Sequence, residues 1–290
     1  MRSDATVSIS EFLLDEIEDA RFWQIAALAS LLCWNIAMLS LGASLLPSLV
    51  AVSAALATQI AASRIARRPV DLRSPLITGL SLALLIRGDA LWVPALAAAL
   101  GIGAKFIFRV QGKHLWNPAA LGIVPLLQTG HAWVSPGQWG TSATIAAAIL
   151  FAGILVLSRA ARLDTALAFL GTHLALLLAR AFWLGDPLAI PLHQLRNGAL
   201  LLFACFMITD PRTTPDAGPA RLLHAAAVAG LAHWLVFFEQ MRPGLYVALV
   251  GLAPLVPLLD WIFPAHGFAW RPGRRPAPQP AQLSDLVHAR

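Results

Sequence analysis

Apolar residues run through this chain in blocks rather than alternating with polar ones. Ten blocks stand out, at about Phe22–Gly42, Leu45–Ser63, Pro75–Ile86, Leu91–Phe108, Pro118–Leu127, Thr141–Ser158, Ala166–Phe182, Gly198–Ile208, Leu222–Phe238 and Leu245–Phe263. Blocks that are apolar on every side predict helices surrounded by lipid or by other helices. Most approach the ~20 residues that cross a bilayer, but the third, fifth and eighth stop far short. Helices that end partway through a membrane are how broken-helix proteins build internal sites. The fifth block opens on Asn117-Pro118, which predicts a helix start. The Asn side chain can cap free backbone N–H groups, and Pro fits the first helical position.

Composition turns this pattern into a class. The chain is 58% hydrophobic and only 12% charged, whereas soluble domains carry about 25% charged residues. The fold class expected is an all-α polytopic membrane protein. It has about ten transmembrane segments in two inverted five-segment repeats, with short broken helices, and the lipid bilayer is its first partner. The formal charge of +6 reads as arginine-rich cytoplasmic loops, not as a nucleic-acid surface. Threading ten segments alternately puts sixteen of the 21 Lys and Arg residues on one side and four on the other, with Lys105 inside a segment. By the positive-inside rule both termini are cytoplasmic and the protein is a multi-pass inner-membrane protein. Residues 1–21 form a cytoplasmic N-terminal segment and residues 22–263 the transmembrane domain, with repeats at about 22–128 and 141–263. Residues 264–290 form a Pro- and Arg-rich tail expected to be disordered. The inverted repeat is suggested by the short third and eighth segments, five apart, and by Asn117-Pro118 and Asp210-Pro211, one in each half.

Three stretches then carry a resemblance. They are Leu72-Arg73-Ser74-Pro75-Leu76-Ile77-Thr78-Gly79, Trp116-Asn117-Pro118-Ala119-Ala120-Leu121-Gly122 and Phe206-Met207-Ile208-Thr209-Asp210-Pro211-Arg212. Their order and spacing resemble the NqrB/RnfD family, membrane subunits of the Na⁺-translocating NADH:quinone reductase and of Rnf electron-transport complexes. The resemblance implies a ten-helix inverted repeat and a role in a flavin-dependent electron-transport complex, coupled to Na⁺ or H⁺ movement, with other electron-transport subunits as partners. It also implies FMN attached to a threonine through a phosphoester. The matching position here is Thr144, with Thr141 and Ser142 where the family motif has Ser and Gly, and Gln138 near the place of its usual Asp. Thr144 is thus either an FMN anchor or a hydroxyl capping the start of the sixth helix.

Asn117 and Asp210 are the other candidate cofactor-binding residues. Each can cap a short helix whose N-terminal dipole faces a cavity, which suits a phosphate or an electron-rich ring such as FMN, riboflavin or another flavin. Each can equally be a structural cap. Lys105 is expected to snorkel toward Arg109 and the cytoplasmic surface. No metal site or nucleophile–base pair is legible, so the chain is not expected to act alone as an enzyme. The alternative function is a flavin-free channel or transporter for a small solute.

Overall fold

The computed structural model describes residues 19–39, 44–135, 143–195 and 197–268. The N-terminal segment up to residue 18, the tail from 269 and the stretch Gln138–Ser142 before Thr144 lie outside the described residues.

A helix occupies each of the ten apolar blocks. In the first half, α1 (Ala20–Trp34) runs into a π-helical turn at Asn35–Leu39 and is followed by α2 (Leu45–Ile65) and α3 (Arg73–Leu85). Next come β1 (Ile86–Gly88), α4 (Trp92–Ile107), β2 (Arg109–Val110), β3 (Lys113–His114), α5 (Pro118–Leu127) and β4 (Ala132–Val134). The second half holds α6 (Ala143–Ala160), α7 (Leu163–Leu184), α8 (Ala189–Leu195) and α9 (Gly198–Leu202), which continues as a π-helix over Phe203–Met207. It ends with α10 (Gly218–Phe237), α11 (Gly244–Leu252) and α12 (Leu255–Ile262). Among the described residues, α2, α7 and α10 are long and apolar enough to cross a membrane, and α11 with α12, bent by 51°, would make a fourth span. Large apolar side chains such as Phe182, Trp183 and Trp261 are strongly exposed. The chain has the build of a multi-pass membrane protein.

Small residues bring the first-half helices close. α2 packs on α3 and α4, and α4 on α5. At the last contact a methyl placed on Gly101 would run into the Pro118 carbonyl oxygen, and one on Gly122 into that of Ala97. The two helices therefore touch backbone to backbone, as small-residue helix pairs in membranes do.

Two short antiparallel ladders, missed by an all-helix reading, punctuate the ends. β1 pairs with β4, setting Arg87 opposite Trp133. β2 pairs with β3 across Gln111-Gly112, both at positive φ (51° and 83°). A two-residue turn with both positions left-handed matches the twist of a hairpin, and glycine adopts it without a Cβ penalty.

Candidate functional site

A polar cavity of about 380 Å³ opens where the C-terminal ends of α2 and α4 meet the N-terminal ends of α1, α3 and α5 and the end of the α9 π-helix. Its lining includes Asn117, Asp210, His114 and Lys105. Two of the three sequence candidates, Asn117 and Asp210, are thus brought to one place. The third, Thr144, is in the first turn of α6; its side chain lies outside the described residues, and none of the described α6 side chains lines the cavity.

Asn117 caps α5 as its sequence requires. Its Oδ1 accepts from the Ala120 N–H at 3.1 Å. Its Nδ2 donates to the Met207 carbonyl at 3.3 Å, which ties the first half to the second. With both ends of the amide engaged and the residue buried, Asn117 shapes the cavity floor and aims the α5 N-terminus at it.

Asp210 does not start a helix. It follows the π-helix, and its carbonyl accepts from the Thr213 and Thr214 N–H groups at 3.0 and 3.1 Å. Its Oδ1 accepts from the Arg212 N–H at 3.0 Å. The Asp-Pro pair closes a turn on itself, so α10 begins only at Gly218. The residue that starts the short second-half helix is Asn197, whose Oδ1 accepts from the Ala199 N–H at 2.9 Å. The Asp210 carboxylate faces His114 Nε2 at 3.7 Å. Burial pushes its pKa up, but the nearby His114, the Arg212 N–H and the Lys105 charge outweigh this and hold it below the ordinary value. It is anionic at neutral pH. His114 Nε2 itself is buried with no hydrogen-bond partner among the described residues. The β2–β3 hairpin holds that ring at the cavity wall, an effect of turn chemistry at Gln111-Gly112 that the sequence does display.

Lys105 does not snorkel. It is 8% exposed, and its Nζ donates to Ser74 Oγ at 2.9 Å and Gln59 Oε1 at 3.3 Å. Both acceptors are neutral, so the ammonium keeps its positive charge for the cavity. The inward turn is cheaper than it looks from sequence because α2 and α3 present oxygen atoms at that depth.

The rim is basic. Arg21 is held by Asp19 and Asp71, with Nη2–Oδ2 at 2.7 Å and Nη1–Oδ2 at 2.6 Å. Asp19 is fully buried. Burial raises its pKa, but the hydrogen bonds and charge of Arg21, with the charge of Arg73, bring it below the ordinary carboxylate range. Arg68, Arg109 and Arg212 line the same mouth. A further network lies beside it, where Lys113 Nζ bridges Asp216 Oδ2 at 2.7 Å and Asp260 Oδ2 at 2.8 Å. Among the described residues no group of three or more His, Cys, Asp or Glu side chains is arranged to hold a metal ion.

Residues 129–268 match the model of the NQR2, RnfD, RnfE family. The match takes in just under half of the chain. Among curated proteins, the D subunit of the ion-translocating oxidoreductase complex of Escherichia coli O139:H28 is 33% identical over 145 residues, covering 49% of this chain and 36% of that protein. Its counterpart in Shigella boydii serotype 18 matches over the same extent, at 33% identity. The alignment thus spans about a third of the relatives' length. The cavity described above draws on both sides of the family match: Asp210 and Met207 lie within it, Asn117, His114 and Lys105 before it.

Proposed function

We propose that this chain is the membrane subunit of a flavin-dependent electron-transport complex and that the polar cavity holds the flavin. The observation that carries the reading is the convergence of Asn117, Asp210, His114 and Lys105 on one cavity shared by the two halves. Relatives named as subunits of an ion-translocating oxidoreductase complex support it.

The residues fit such a ring. His114 Nε2 is a buried ring nitrogen in want of a partner, suited to a ring-edge oxygen or nitrogen. Phe106 and Phe206 supply apolar wall. A bound flavin supplies a centre that takes up and releases electrons one or two at a time. The Lys105 ammonium lies where positive charge favours the electron-rich, reduced ring. Thr144 is proposed as a second, covalent FMN site at the opposite face. Electrons enter and leave through partner subunits, since the sequence carries no nicotinamide or iron–sulfur motif. Coupling to cation movement, ten spans in two inverted repeats (22–128 and 141–263) and cytoplasmic end segments (1–21 and 264–290) belong to the same proposal.

The test is to purify the full chain with flavin supplied and a flavin transferase co-expressed. Flavin released on denaturation reports the cavity, and flavin fluorescence that stays with the chain on a denaturing gel reports Thr144. The cavity flavin should have a lower reduction potential in Lys105→Met, and the retained fluorescence should vanish in Thr144→Ala. A protein that yields neither would sink the redox reading. The transporter reading has one observation in its favour: a second cavity of about 240 Å³ lies at the other end of α3, lined by Ala83 and Arg87. Solute flux into liposomes by flavin-free protein would decide for it.

A further inference from the structure

The mouth of the cavity carries a surplus of positive charge. Five cationic side chains line the cavity (Arg21, Arg68, Lys105, Arg109 and Arg212), against two carboxylates, Asp71 and Asp210. Both carboxylates are engaged. Asp71 takes Arg21, and Asp210 takes the Arg212 N–H and faces His114. Among the described residues no carboxylate pairs with the side chain of Arg68, Arg109 or Arg212.

All three line the one cavity, and Arg109 feels the other two. Burial, and then the charges of Arg68 and Arg212, pull the Arg109 guanidinium below its ordinary pKa. Like charges converging on one opening cost free energy and are retained where an anion neutralises them. The backbone holds the cluster in place. Arg109 is anchored through Nη2 to the Gly112 carbonyl at 2.6 Å, across the β2–β3 hairpin. Arg68 follows Arg67, a non-glycine residue at φ 51°, and its N–H is fixed to the Ser63 carbonyl at 2.9 Å. The N-terminus of α5, with Asn117, Pro118 and Ala119 in the lining, points its positive dipole end at the same space.

We propose that this rim recognises a phosphate monoester, so that the flavin taken by the cavity is the mononucleotide, held non-covalently with its phosphate among Arg68, Arg109 and Arg212. The identity of the ring rests on the function proposed above; the phosphate does not. The planar fork of each guanidinium offers paired N–H donors matched to phosphate oxygens, and three such forks suit a dianion better than any neutral group. A neutral flavin such as riboflavin would leave this charge unanswered.

The experiment uses the purified full-length chain in nanodiscs of zwitterionic lipid. FMN and riboflavin are titrated by quenching of flavin fluorescence, and inorganic phosphate is titrated by thermal shift at constant ionic strength. FMN should bind at least about tenfold tighter than riboflavin, the scale of one good charge-assisted contact. Arg109→Gln and Arg212→Gln should each bring that ratio toward one and weaken the phosphate shift. The exposed position of Arg68 makes Arg68→Gln the variant least able to disturb folding. Equal affinity for FMN and riboflavin would overturn the phosphate assignment while leaving the flavin reading intact. A phosphate shift lost in the arginine variants, with neither flavin bound, would keep the phosphate site and overturn the flavin. In discs containing phosphatidate, stabilisation by the lipid together with loss of FMN binding would show that the rim serves a lipid headgroup, which overturns the proposal.

Discussion

Single side chains in this protein act through where they are forced to point. Lys113 is the clearest case for stability. Its ammonium is 15% exposed and holds together Asp216 and Asp260, 10% and 9% exposed. The two acids belong to the approach to α10 and to α12, and the Asp216 N–H also donates to Asp260 Oδ1 at 2.7 Å. Lys113→Ala would leave two carboxylates facing each other in a poorly solvated place. Removing one partner of a buried ion pair costs about 3 kcal/mol, so the variant should unfold at distinctly lower temperature in detergent. The Lys113→Ala, Asp260→Asn double variant should recover part of that loss. Lys105 shows the opposite use of charge. It is satisfied by neutral oxygens of Ser74 and Gln59 and so remains available to the cavity.

Helix contacts decide which glycines matter. Gly101 and Gly103 sit two residues apart on α4, yet only Gly101 faces the Pro118 carbonyl, while a methyl at Gly103 meets nothing within 4 Å. Gly101→Ala should force α4 from α5 and cost about 3 kcal/mol, the upper part of the overpacking range. Gly103→Ala should be neutral or stabilise by up to about 1 kcal/mol through helix propensity. Thermal unfolding of the pair in one detergent reads the contrast directly. The helices themselves were legible in the sequence. The apolar blocks locate every described helix but α8, with α11 and α12 sharing one block, and Asn117-Pro118 marks the α5 start because capping needs only neighbours a few residues away. Asp210-Pro211 carries the same local signature and means something else, since the Asp210 carbonyl is claimed by Thr213 and Thr214. Asn197 is a cap without a following proline and carries no such local mark. The inward path of Lys105 could not be read either, because the oxygens that receive it come from α2 and from α3, 46 and 31 residues away in the chain. The Thr144 motif lies mostly outside the described residues, and its role stays with the flavin proposal.

At the scale of the described bundle, a group of basic residues gathers at the end that carries the cavity. Arg21, Arg68, Arg109 and Arg212 meet there, whereas Arg87 lines the cavity at the opposite end of α3. With arginine-rich ends retained in the cytoplasm, a reporter inserted between Arg64 and Arg73 should score cytoplasmic. One inserted in the 136–140 stretch should score external. Matching scores at both positions would break the ten-segment threading.

The bond from Asn117 to Met207 has a bearing on how such a chain changes through descent. The family match covers residues 129–268, yet Asn117 precedes it. The joint between the halves is tolerant at one end, because its acceptor is a main-chain carbonyl. Any residue at position 207 that keeps the backbone path offers the same oxygen. One half of the molecule can therefore drift in sequence while the other half still closes on it, provided that the asparagine is kept. A lineage can remodel the lining of the cavity without having to reinvent the way in which its two walls are joined.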